Sequence, residues 1–154
     1  MKKKRVVIIS LLLLLVSVIG ISSYFLFKDK INLLDVDHSA VDWNGKKQKD
    51  TSGEENTIAI LGFEKVTLYA NETTQAVNFH NPEINDCYFK ISLIHPDGSV
   101  LWISDLIEPG KGMYSIELEK TLAVGEYENA VLKYECFSLN DQSPLNGSEI
   151  NLKL

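Results

Sequence analysis

The sequence predicts an all-β fold, an antiparallel β-sandwich preceded by a single N-terminal transmembrane helix. Three observations lead there. No residue from Val6 to Phe27 is charged, the next thirty or so residues are polar and mixed in charge, and from Thr57 onward short apolar runs alternate with turn residues. Charge divides the chain in the same way. Residues 1–30 hold six cations and one acid (+5), residues 31–56 three cations and six acids (−3), and residues 57–154 six cations and fourteen acids (−8). The net charge of −6 argues against nucleic acid as a partner, because replacing counterions on phosphate takes a basic face. A length of 154 residues suits one domain with an appendage, and two cysteines are too few for a disulfide scaffold.

The apolar segment comes first. Residues 6–27 form a helix of roughly 33 Å at 1.5 Å per residue, enough to cross a hydrocarbon core of about 30 Å. Ser10, Ser17, Ser22 and Ser23 can return their hydroxyls to the helix's own carbonyls, and Tyr24 suits the outer interface. The basic tail at residues 1–5 carries Lys2, Lys3, Lys4 and Arg5 and stays cytoplasmic, which places the remainder outside the cell membrane. A cleaved secretory signal is the competing reading. Its apolar core runs only about 7–15 residues, and Gly20-Ile21-Ser22 is a mediocre cleavage site. No cysteine lies near the segment, so a lipid-modified N-terminus is excluded.

Residues 28–56 follow as a solvated stalk, with too little apolar surface to fold. Trp43 and the patch Ile31-Asn32-Leu33-Leu34 are its exceptions, suited to contact with the interface or the domain surface.

The domain spans residues 57–154. Strands are expected near 57–61, 64–70, 74–80, 87–94, 100–104, 113–119, 126–137 and 148–154. Pro96-Asp97-Gly98, Pro109-Gly110-Lys111-Gly112 and Leu145-Asn146-Gly147 supply turn chemistry between them. Eight short strands in under a hundred residues point to an antiparallel sandwich. Alternation assigns the faces. Cys87, Phe89, Ile91 and Leu93 look inward, as do Ala130, Leu132, Tyr134 and Cys136, while Lys90, Ser92, Lys133 and Glu135 look out. A register in which paired residue numbers sum to 223 sets Cys87 against Cys136 and Phe89 against Tyr134. In an oxidising compartment that makes Cys87 and Cys136 a candidate disulfide, the alternative being two buried thiols that act as small hydrophobes.

Leu122-Ala123-Val124-Gly125-Glu126-Tyr127, leading into the strand that ends at Cys136, resembles the L-x-x-G-x-Y corner of immunoglobulin-like sandwiches. There a tyrosine hydroxyl caps the corner between sheets, the structural role that the resemblance gives Tyr127. The wider pattern comprises Asn81-Pro82, Tyr88-Phe89-Lys90-Ile91, the Pro-Asp-Gly turn, Ser104 ahead of Ile107-Glu108-Pro109-Gly110, and the Gly-x-Tyr strand. It resembles small membrane-anchored surface proteins of Gram-positive bacteria that export one immunoglobulin-like domain. The resemblance covers residues 57–154 and implies a fold and a location without a ligand.

No catalytic, cofactor or metal constellation emerges. His38, His80 and His95 lack the close spacing of zinc ligands, although His80 and His95 could meet at strand ends beside Asp97. Asp35-Val36-Asp37-His38-Ser39-Ala40 approaches a calcium loop, but Ala40 stands where the turn needs glycine and Lys46 where the bidentate glutamate belongs. Two side chains are candidates for partner binding. Tyr69 is not claimed by the core pattern, and Trp102 is exposed if Leu101 and Ile103 face inward. The sequence thus predicts a non-catalytic, membrane-anchored extracytoplasmic interaction module whose partner is another envelope protein. The alternative is a structural subunit of an envelope secretion or conjugation assembly.

Overall fold

Alternating apolar residues need a second apolar layer to cover them, and the chain supplies it as two antiparallel sheets closed over one core. The computed structural model describes residues 33–45, 58–60 and 62–154. The basic tail 1–5, the helix 6–27 and residues 28–32 and 46–57 of the expected stalk and first strand lie outside the described residues. Leu34–Leu154 form one compact unit. Among the described residues no helix is long and apolar enough to cross a membrane.

Seven strands follow in order: β1 (Val41–Asp42), β2 (Thr74–His80), β3 (Cys87–Ile94), β4 (Val100–Ile103), β5 (Lys111–Glu117), β6 (Ala130–Ser138) and β7 (Pro144–Leu152). One sheet runs β1-β5-β2 and the other β4-β3-β6-β7, all pairs antiparallel. Phe89, Ile91, Leu93, Leu132 and Tyr134 are fully buried along β3 and β6. Phe79 of β2 joins the layers: its ring lies 5.8 Å from that of Trp102 on β4 and 5.7 Å from Phe63.

The register of β3 on β6 corrects the expected one. Paired numbers sum to 225, so Phe89 faces Cys136, Ile91 faces Tyr134, and Cys87 faces Ser138. A shift of two residues leaves every side chain on its expected face, so alternation alone cannot choose between the registers. Charge chooses. The expected register opposes Lys90 to Lys133, whereas the observed one sets Lys90 against Glu135 and Ser92 against Lys133.

The stalk is corrected as well. Part of it folds onto the sandwich as a strap. Leu106 donates its N–H to the Asp35 carbonyl and accepts that of Asp37 at 2.9 and 2.8 Å, and Val41–Asp42 pair with Gly112 and Lys111 of β5. The strap has little apolar surface of its own; it is held by an existing strand edge and by the Asp42–Lys111 ion pair at 2.6 Å. Trp43 then stacks on His80 with ring centroids 3.8 Å apart, over a Gly112 that leaves no room for a Cβ.

Among the described residues, neither of the first two expected strands of the domain forms. Within 57–61, Ala59 exchanges both backbone hydrogen bonds with the Asn85 side chain, and within 64–70 only Lys65 forms a bridge, to Lys153. Strand β7 begins earlier than expected, at Pro144, because Leu145-Asn146-Gly147 is a bulge opposite Glu135 and not a break.

Candidate functional site: a free strand edge above an acidic-rimmed groove

Strand β5 is central in its sheet only in part. Strand β2 covers one side throughout, but β1 covers the other only at Lys111 and Gly112. From Met113 to Glu117 that second side has no strand partner among the described residues. Leu118 donates to the Thr73 carbonyl at 2.9 Å, so by antiparallel alternation Ile116 also bonds toward β2. The backbone groups of Ser115 and Glu117 therefore point away from the sheet. Across from them lies β4, whose Ser104 extension bonds Ile91 of β3 at 2.9 Å and leaves the backbone groups of Ile103 facing out too.

Between these two edges runs a groove of about 410 Å³. Its floor is apolar: Met113, Ile116 and Trp102 are buried, and Ile103 stands 47% exposed on the wall. Its rim carries Asp37, Asp105 and Glu117, with Ser39 and Ser115 between them, and among the described residues no basic side chain lines it. Asp37 is fixed by the strap's turn, accepting from both the N–H and the hydroxyl of Ser39 through Oδ1 and from the Asp105 N–H at 3.3 Å through Oδ2. Thr73 and Thr74 donate their hydroxyls to Glu117, which holds its carboxyl below the usual carboxylate range. Two of the three acids, Asp37 and Glu117, are thereby held in one orientation.

The residues singled out from sequence fall elsewhere, with one overlap. Trp102 is not an exposed contact residue: it is 7% exposed. Leu101 and Trp102 are both buried because the pairing slips between Leu93–Trp102 and Ile94–Val100, which makes Leu101 a bulge and sends two neighbours inward. Tyr69 is 61% exposed, on a turn tied down by the buried Gln75 side chain, which bonds the backbone of Tyr69 and Glu72. The Tyr127 hydroxyl donates to the Ala123 carbonyl at 3.0 Å, and Tyr127 and Leu154 exchange backbone hydrogen bonds.

Cys87 and Cys136 are free, buried thiols. The register makes them diagonal and not directly opposed. Burial pushes the Cys136 thiol up to about 12 and raises Cys87 as well, the reverse of what a nucleophile needs. His95 meets Asp97 at 2.9 Å and the Tyr127 ring at 5.2 Å, while His80 lies under Trp43; the two histidines share no contact. No group of three or more potential metal ligands gathers among the described residues.

Sequence reasoning missed the groove. Its signal was present in Asp37 and Ser39, an Asx-turn pair weighed only as a calcium loop, and in the excess of apolar residues at 100–103. What could not be read was that a short strap would stop at Gly112 and leave the rest of β5 bare.

Fold and site together define a two-sheet antiparallel sandwich with an accessible strand edge. Comparison with known proteins finds no matching family model, no matching curated protein and no matching solved structure.

Proposed function

We propose that this chain is a non-catalytic interaction module of a bacterial cell envelope. It displays an immunoglobulin-like sandwich outside the membrane and is held there by an N-terminal helix over residues 6–27. The observation that carries the reading is the bare edge of β5 from Met113 to Glu117 beside an apolar-floored groove. Unpaired edges invite strand addition, and proteins without a use for one usually cover or blunt it. The Tyr127–Ala123 hydrogen bond supports the immunoglobulin-like assignment, since that sheet corner is closed by the same contact. The positively charged tail before an uncharged 22-residue run supports the orientation.

The test has two parts. Protease added to intact cells should degrade the acidic domain while sparing a cytosolic control. A photo-crosslinking residue scanned over the domain surface in intact cells should trap another envelope protein. Full protection from protease refutes the location, and the absence of a crosslink from every position refutes the interaction role.

A further inference from the structure

The geometry points to a defined ligand for the groove: an extended peptide segment of alternating basic and apolar residues, added to β5 as a new strand. This inference rests on the interaction reading above and adds the chemistry of the partner. Three features specify it. The backbone groups of Ser115 and Glu117 on the β5 wall give a strand its hydrogen-bond ladder, in a groove that closes where Glu119 donates to the Leu101 carbonyl at 2.8 Å. The floor of Met113 and Ile116, with half-exposed Ile103, accepts apolar side chains projecting from every second residue. The rim offers Asp37, Asp105 and Glu117 to the alternate side chains, and among the described residues no cation lines the groove to neutralise them. A second copy of this domain is the wrong occupant on charge, because residues 57–154 carry fourteen acids against six cations and would bring like charge to like. Strap and ligand would also be consecutive partners of one edge. The strap pairs with β5 as far as Gly112, and the free positions begin at the next residue.

The test uses the purified full-length chain in a neutral detergent. The probes are fluorescein-labelled synthetic peptides of about seven residues, enough to cover Met113–Glu117. One alternates lysine with valine, one alternates glutamate with valine, and one is the lysine peptide N-methylated on alternate backbone nitrogens. The lysine peptide should bind, weakening as salt rises. The glutamate and N-methylated peptides should bind at least about tenfold more weakly.

Two variants leave the core untouched. The double charge reversal Asp105→Lys with Glu117→Lys should weaken the lysine peptide about tenfold and reverse the preference between peptides. Ser115→Pro removes an N–H that β2 does not use and should abolish binding. If Ser115→Pro fails to fold, the N-methylated peptide still tests the ladder. Equal binding of the N-methylated peptide overturns strand addition, and equal binding of the glutamate peptide overturns the basic partner. No binding by any peptide overturns the proposal, as does a concentration-dependent dimer that excludes the lysine peptide. In cells, a crosslink from Glu149 on β7 but none from Ser115 would overturn the groove and keep the interaction role; none from either position removes both.

Discussion

Asn81 is the residue whose loss should be felt furthest. It is fully buried at the end of β2, and its side chain joins three parts of the fold. Nδ2 donates to the Cys87 carbonyl at 2.8 Å and to the Ile107 carbonyl at 3.0 Å, while Oδ1 accepts from Asn85 Nδ2 at 2.9 Å. Asn85 in turn bonds both backbone groups of Ala59. Asn81→Ala strands the Cys87 carbonyl and one Asn85 amide N–H, and leaves the Ile107 carbonyl with the Phe89 N–H alone. At about 1–3 kcal/mol for each buried unpaired group, offset where water enters the vacated space, the loss is about 2–4 kcal/mol. For a unit of this size each kcal/mol is worth roughly 4 °C, so Tm falls by about 8–16 °C. Asn81→Asp keeps the shape and turns two attractions into repulsions, setting a carboxylate against two carbonyl oxygens. It should cost about 3–5 kcal/mol at neutral pH and recover part of that on acidification, once the carboxyl takes up a proton and can donate. Urea and thermal melts of the full-length chain in detergent, at pH 7 and pH 5, measure both. A loss below about 1 kcal/mol for Asn81→Ala, or no gap between the two variants that narrows with acid, would refute the argument that this amide is a structural junction.

Other expectations follow from the same description. Folded protein should leave both cysteines unmodified by iodoacetamide and yield two alkylated thiols after denaturation; a disulfide found by mass spectrometry would contradict the free-thiol state. Burial lowers the affinity of His80 for a proton, so the unfolded chain protonates first as pH falls through 6.5. Stability should be full above that pH and decline below it, and His80→Gln should flatten the decline in melts between pH 7 and pH 5. Tyr134 buries a hydroxyl with no partner among the described residues, so Tyr134→Phe should be at least as stable as the parent in urea. At Gly147 an added Cβ would lie 2.2 Å from the Tyr134 carbonyl oxygen across the bulge. Gly147→Ala should therefore cost about 1–3 kcal/mol, measured by the same melt, and an unchanged midpoint would mean that the bulge relaxes freely.

Much of the fold was legible because it depends on local alternation. Strands β2 and β3 occupy the residues expected of them, 74–80 and 87–94, since their inward residues repeat every second position with polar residues between. What depends on pairing across the molecule was not legible. The register of β3 on β6 was open to a two-residue shift until the opposition of Lys90 and Lys133 is considered, a signal present in the sequence but outside the apolar pattern. Trp102 defeated the alternation rule because a bulge at Leu101 breaks the period. Strand β1 is two residues long, too short for any period, and exists because β5 offers it partners. The start of the penultimate strand slipped from 126 to 130 because Tyr127 pairs with Leu154 and Asn129 takes a positive φ of 63° ahead of Ala130. The groove was the least legible part, since it is defined by where a neighbouring segment stops.

That strap has a practical consequence for anyone dividing this polypeptide. Cutting at Thr57, where composition changes, discards Trp43 and the Val41–Asp42 pairing with it. The His80 ring would be uncovered, and the bare margin of β5 would lengthen to run from Lys111 to Glu117. Such a truncated product would carry a longer unpaired edge than the parent, open to any added strand. Expression clones that begin upstream of Leu34 keep that edge at its native length.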